Sequence, residues 1–173
     1  MPASNENLTI EERADVTQLQ LIARNGKGGV LANAIAKFLK RKKPLLPFDG
    51  ARPGGVFVCA IGPEEYWAVI EKGAAAKERK ELERITGDYA SIFDQTDGRF
   101  VIRLSGQQAS DLLARGTSLD LRDTALPMEM GTNTTIEHIP AVVLRRKEKH
   151  GNVFEVSVPR SYAGSFMTWL RGD

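Results

Sequence analysis

The order in which two hydrophobic periods alternate between Val16 and Asp94 constrains this chain most. Val16 to Ala23 alternates, with Leu19 and Leu21 on one face, and predicts a strand. Beyond the glycine-rich turn Asn25-Gly26-Lys27-Gly28-Gly29 the period changes. Leu31, Ile35, Phe38 and Leu39 recur at helical spacing. That segment ends in Lys40-Arg41-Lys42-Lys43 before Pro44, cations that suit a helix C-terminus and a proline that stops the helix. A proline- and glycine-rich loop occupies Lys43 to Gly55. Val56 to Ile61 and Tyr66 to Ile70 predict a hairpin around Gly62-Pro63-Glu64-Glu65. A charged helix over Ala74 to Thr86, closed by Gly87, and a strand over Ala90 to Asp94 complete a βαββαβ order, the split βαβ arrangement.

The rest of the chain supplies a second set of elements. A turn at Thr96-Asp97-Gly98 leads into a strand over Phe100 to Leu104 and then a helix within Arg103 to Arg122. Strands are expected near Thr134 to Ile139, Ala141 to Arg146 and Val153 to Val158, the last two joined by a turn at Lys149-His150-Gly151-Asn152. A final helix places Tyr162, Phe166, Trp169 and Leu170 on one face. The plan is α+β, with antiparallel sheets and helices packed on one side. Residues 1–15 read as a polar tail and 16–173 as a single domain of two interlocked lobes, about 16–95 and about 96–173.

Charge and cysteine content narrow the function. Lys and Arg number 24 against 22 Asp and Glu, and a net charge of +2 favours neither nucleic acid nor an anionic membrane as partner. Cys59 is the only cysteine, which excludes an intramolecular disulfide and suits a reducing compartment. The opening MPASNENLTIEERAD lacks the apolar core of a signal peptide, and no apolar run reaches bilayer-spanning length. A cytoplasmic protein is expected.

Candidate sites are few. Ser105-Gly106 follows a strand and opens a helix, as a phosphate-binding turn does, but without the further glycines or lysine of such a site. Ser105 with Gln108 reads instead as a capping box, and Gly116 as the helix stop. The Asn25–Gly29 turn lacks both the dinucleotide fingerprint and the P-loop Gly-Lys-Ser/Thr, and reads as a mobile connection in which Lys27 could meet an anion. His138 and His150 are far apart and have no cysteine partner at ligand spacing, so no metal site is expected. Cys59, within Val-Phe-Val-Cys-Ala-Ile, reads as a buried thiol. Glu64 and Glu65, beside Tyr66 and Trp67, are acids at a hairpin turn. Arg145-Arg146-Lys147-Glu148-Lys149 reads as a solvated or edge-protecting stretch. Arg171-Gly172-Asp173 spells an adhesion tripeptide that a cytoplasmic protein would not use. None of these makes a catalytic constellation.

Three segments carry a resemblance. AIGPEEYW (Ala60 to Trp67), DQTDGRFVIRLSGQQASDLLARGTSLDL (Asp94 to Leu121) and VPRSYAGSFMTWL (Val158 to Leu170) together resemble the gamma subunit of heterotetrameric sarcosine oxidase. The middle segment is also similar to the folate-dependent aminomethyltransferases, which implies two interlocked ferredoxin-like lobes. That wider family keeps a functional acid in a later strand, where Ala141-Val142-Val143-Leu144 has none, so its folate chemistry is not carried over. Thr117-Ser118 stand where gamma subunits often have Cys-Pro, and Lys40–Lys43 and Lys77–Arg84 are less apolar than in many relatives.

The resemblance implies a non-catalytic accessory subunit with no cofactor of its own. Its partners would be an alpha subunit holding NAD and the tetrahydrofolate site, a beta subunit holding FAD and FMN, and a delta subunit binding zinc. Such a complex turns sarcosine, oxygen and tetrahydrofolate into glycine, hydrogen peroxide and methylene-tetrahydrofolate. Two alternatives stand beside it: a subunit of a related complex acting on N-methylglutamate or dimethylglycine, and a stand-alone folate-binding protein using the Ser105–Gln108 helix start. For partner contacts the reading selects Glu64, Glu65, Tyr66 and Trp67 at the hairpin, and Asp120.

Overall fold

Each apolar run pairs with neighbours to make a strand, and each helical run buries one stripe. The computed structural model describes residues 7–51, 54–148 and 151–172. In chain order it holds β1 (Thr9–Glu12), β2 (Val16–Ala23), α1 (Gly28–Phe38), β3 (Gly50–Ala51), β4 (Val56–Gly62), β5 (Glu65–Glu71), α2 (Ala75–Thr86) and β6 (Ala90–Asp94). Then follow β7 (Arg99–Ser105), α3 (Ala109–Ala114), β8 (Met130–Ile136), β9 (Ile139–Glu148), β10 (Gly151–Pro159), a 3₁₀ turn (Arg160–Tyr162) and α4 (Ala163–Arg171). They fall into two units, Asp15–Thr96 and Met1–Ala14 with Asp97–Asp173. The described strands pair antiparallel in two sheets, so the class is α+β.

In the Asp15–Thr96 unit the sheet order is β3-β4-β5-β2-β6. Without the two-residue β3, this is the split βαβ order: β2 and β6 are neighbours and the β4–β5 hairpin lies to one side. Leu31, Ile35 and Phe38 of α1 and Leu82 of α2 pack with Leu19, Leu21, Val56, Val58, Ala68 and Ile70 in one core. The alternate residues Phe57, Cys59, Ile61, Trp67 and Val69 are buried as well, which explains why these strands read as continuous apolar runs.

Helix α1 ends in a Schellman motif. The Lys40 N–H donates to the Lys37 carbonyl at 3.1 Å, the Arg41 N–H donates to the Ala36 carbonyl at 2.9 Å, and Lys40 takes φ +55°. Glycine ordinarily fills that left-handed position because its missing Cβ avoids the carbonyl clash.

The other unit orders its sheet β1-β7-β10-β9-β8. Here β8, β9 and β10 are a consecutive meander, and β10 lies against β7. Phe166 and Leu170 of α4 and Leu112 and Leu113 of α3 pack on Ile102, Leu104, Val143, Phe154 and Val156. Gly116 lies so close to the Trp169 ring that a Cβ would stand 2.6 Å from it.

Several expectations change. Thr9–Glu12, read as part of a polar tail, is an edge strand that pairs with Ile102 to Ser105. The capping box is absent: Ser105 is the last residue of β7, α3 begins at Ala109, and Gln108 in the N-cap position makes no side-chain cap bond. The Asn7 carbonyl replaces it, accepting the Gln108 N–H at 2.9 Å, and Gly106 at φ +106° gives the backbone room for that approach. Strand β8 begins four residues before the expected Thr134. The Asn25–Gly29 turn, expected to be mobile, is closed by the Lys27 N–H on the Arg24 carbonyl at 2.8 Å, and Arg24 N–H in turn bonds the Tyr89 carbonyl.

The Schellman geometry makes Lys40→Gly a test of local strain. Relief of the left-handed lysine is expected to raise stability by up to about 1 kcal/mol, read by urea denaturation. A loss of stability would mean that the Lys40 side chain contributes more than its backbone costs.

Candidate functional site

The hairpin tip begins with Pro63 and Glu64, and Glu64 takes φ +57°. Its carbonyl accepts the Ala23 N–H at 3.0 Å, which ties the tip to the end of β2. Its carboxylate lies over the first residue of α1: a Cβ at Gly28 would collide with Glu64 Oε1. A carboxylate there faces the positive end of the helix dipole, and glycine at position 28 is what leaves it room. Glu65 points elsewhere. Its Oε1 accepts from Gln20 Nε2 at 2.7 Å, and Gln20 Oε1 accepts from Gln95 Nε2 at 3.0 Å, so three side chains run across the sheet.

Tyr66 and Trp67 are buried, Trp67 completely. Burial, and then the nearby Glu64 carboxylate, raise the Tyr66 phenol above its ordinary range, so it stays protonated at neutral pH. Of the hairpin residues selected for partner contact, Glu64 is exposed and Glu65 partly so.

Asp120 sits in a turn that it builds itself. Its Oδ1 accepts the Arg122 backbone N–H at 3.0 Å, and the Arg122 guanidinium embraces both carboxylate oxygens. These bonds lower the Asp120 pKa from 3.8 to about 2. The pair borders an open cleft of about 410 Å³ between α3 and the loop that follows it, with Asp111, Leu119 and Arg145 also on its wall.

At that wall the charged run of β9 departs most from expectation. Arg145 and Arg146 are only 1% exposed, because β9 lies between β8 and β10 and is not an edge. Arg145 donates to the Leu126 carbonyl at 2.7 Å and to Asp123 at 2.5 Å, and its guanidinium lies 5.4 Å from the Phe154 ring centre. It fastens the loop after α3 to the sheet. Arg146 donates to Glu155 Oε2 at 3.0 Å. Oε1 of the same carboxylate accepts from Arg103 at 2.8 Å and Arg13 at 3.0 Å. Glu155 is 3% exposed.

The remaining candidates resolve into structure. His138 is exposed in the two-residue β8–β9 turn, where both it and Glu137 take positive φ. Lys149 and His150 lie outside the described residues, as does Asp173. Arg171 ends α4, and Gly172 caps it in the left-handed conformation. The buried Cys59 thiol donates to the Phe48 carbonyl at 3.4 Å. Among the described residues no group of three His, Cys, Asp or Glu is placed to hold a metal ion. No described helix is long and apolar enough to cross a membrane. Beside Gln108 lies a shallow cleft of about 280 Å³ lined by Leu8, Asp111, Leu112 and Arg115.

Two measurements follow from these contacts. Glu155→Ala removes the carboxylate that three buried or partly buried arginines share, and is expected to cost about 3–5 kcal/mol in urea denaturation. A cost below about 1 kcal/mol would show that the cluster contributes little. For Asp120, whose folded pKa is depressed, the stabilising effect is complete above the unfolded value near 3.9 and fades as pH falls towards about 2. Carboxyl NMR should place its midpoint near 2 in the wild type and return it to the ordinary range in Arg122→Ala. An unchanged midpoint in that variant would remove Arg122 as the cause.

Comparison with known proteins agrees with this architecture. No curated protein matches the sequence. Among solved structures, a chain of the heterotetrameric sarcosine oxidase from Corynebacterium sp. U-96, in complex with pyrrole 2-carboxylate, is similar with a TM-score of 0.77 at 23% identity, over 98% of this chain and 85% of that one. The glycine cleavage system aminomethyltransferase T from Bartonella henselae is similar with a TM-score of 0.69 at 15% identity, over 96% of this chain and 46% of that one. At such identities both likenesses show the fold. The sequence itself goes further, because residues 47–173 match the profile of the sarcosine oxidase, gamma subunit family. The chain belongs to the sarcosine oxidase gamma subunit family.

Proposed function

We propose that this chain is the accessory, non-catalytic gamma subunit of a flavin-dependent sarcosine oxidase complex. That complex demethylates sarcosine to glycine and passes the one-carbon unit to tetrahydrofolate. The family match over residues 47–173 carries the reading. The buried charges support it, since Arg145, Arg146, Arg103 and Glu155 are spent on fastening loops and strands. In this reading FAD, FMN, NAD, tetrahydrofolate and zinc belong to the alpha, beta and delta partners. Glu64, Glu65 and Asp120 offer the side chains for contact with those partners, while Tyr66 and Trp67 hold the hairpin from within. A single buried cysteine fits a cytoplasmic complex. Substrate contacts lie on another polypeptide, so a panel of sarcosine, dimethylglycine and N-methylglutamate on the assembled complex identifies the amine.

Purification of the tagged chain from its own organism tests the proposal. A yellow complex with larger subunits is expected, and the separated chain should be colourless and inactive on N-methyl amines. A colourless protein that purifies alone would contradict it, and calorimetry with tetrahydrofolate would then decide the stand-alone folate reading.

A further inference from the structure

The loop between α1 and β3 carries a surface that the fold does not use. Lys40, Arg41, Lys42 and Lys43 are consecutive and all exposed. A few residues on, Leu46 is 70% exposed, more than any other large apolar side chain among the described residues, and Phe48 is 45% exposed. Neighbouring Leu45 is buried in the core and anchors the loop.

This display is held in place. The Phe48 N–H donates to the Ala60 carbonyl at 2.8 Å, the Ala60 N–H donates to the Asp49 carbonyl at 3.0 Å, and the Asp49 N–H closes a turn on the Leu46 carbonyl at 3.0 Å. Arg41 reaches Asp49 at 3.4 Å and bridges the two ends of the segment. Phe48 takes φ +67°, a strained conformation for a bulky side chain. Strain of this kind persists only where surrounding structure imposes it, and it concentrates at binding sites. A rigid backbone that presents two apolar side chains beside four cations loses little entropy on docking, as an interface anchor requires.

We propose that Lys40–Phe48 docks on another subunit of the complex, into an apolar socket for Leu46 and Phe48 rimmed by carboxylates. Charge complementarity sets that chemistry: the segment has four cations and no acid, and the adjoining Asp49 pairs with only one of them, Arg41. The proposal rests on the subunit reading above.

The test uses the complex co-expressed from its full set of subunits, with Leu46→Ser and the double variant Lys42→Glu/Lys43→Glu, both at exposed positions. Thermal melts of the separated chains establish that each variant folds like the wild type. Wild type should co-purify in stoichiometric amount. Leu46→Ser should weaken association by roughly tenfold or more. The charge-reversed variant should bind more weakly and lose most of the wild type's sensitivity to sodium chloride. Wild-type affinity and salt dependence in both variants would overturn the docking site and leave the subunit reading intact. Failure of the wild type to co-purify would overturn both. Leu46-dependent sedimentation of the chain with phosphatidylglycerol vesicles, with assembly unchanged, would assign the loop to a lipid surface and overturn the proposal.

Discussion

One buried carboxylate governs the larger part of the second unit. Glu155 on β10 receives Arg146 from β9, Arg103 from β7 and Arg13 from just beyond β1. Withdrawing these groups from water costs several kcal/mol per ion, and the cost is offset only if the charges meet at hydrogen-bond distance. The sheet order β1-β7-β10-β9 is the one that brings them together. The cluster therefore ties four strands to one arrangement, since any other would leave a buried charge without its partner. It also draws Thr9–Arg13 to a sheet whose other strands lie beyond Asp97.

The same economy runs through the other charged groups. Arg145 holds the Leu121 and Leu126 carbonyls, Asp120 builds its own turn with Arg122, and Arg79 is shared between Glu83 and Asp94. Acid–base catalysis needs a side chain poised to exchange a proton near neutral pH. Asp120, held at about 2, and Tyr66, raised by burial, are displaced away from that range. Arg145, Arg122 and Arg79 hold loops, a turn and a helix in place.

Much of the fold was legible because period and punctuation agreed. The β4–β5 hairpin announced itself by two apolar runs around Gly62-Pro63, and α1 by its 3.6-residue stripe and its cationic end. What escaped depended on partners distant in sequence. Thr9–Glu12 is too short and polar to show alternation, and becomes a strand only because β7 offers its edge. Ser105 looked like a cap, yet the carbonyl of Asn7, far away in sequence, satisfies the helix start at Gln108. The Arg145–Lys149 run read as solvated because nothing local reveals that β9 is central. A signal was nonetheless present: Arg103 in Val-Ile-Arg-Leu and Glu155 in Val-Phe-Glu-Val each interrupt an apolar strand with a lone charge of opposite sign. At the hairpin the exposed Glu64 was legible from the turn, whereas the partial burial of Glu65 and the burial of Tyr66 and Trp67 follow from the strand that begins at Glu65.

The central claim is that this chain contributes surface and support to a complex whose chemistry lies elsewhere. It is tested most directly by steady-state oxidation of sarcosine by the assembled complex in which Glu64, Glu65, Asp120 and His138 of this chain are together replaced by Gln, Gln, Asn and Ala. Turnover is measured per intact, flavin-loaded complex. The account predicts kcat within about twofold of the wild type, because removing a positioned acid or base would cost roughly a hundredfold or more and none is removed. A loss of that size in a complex that is still fully assembled would place catalysis in this chain and contradict the account.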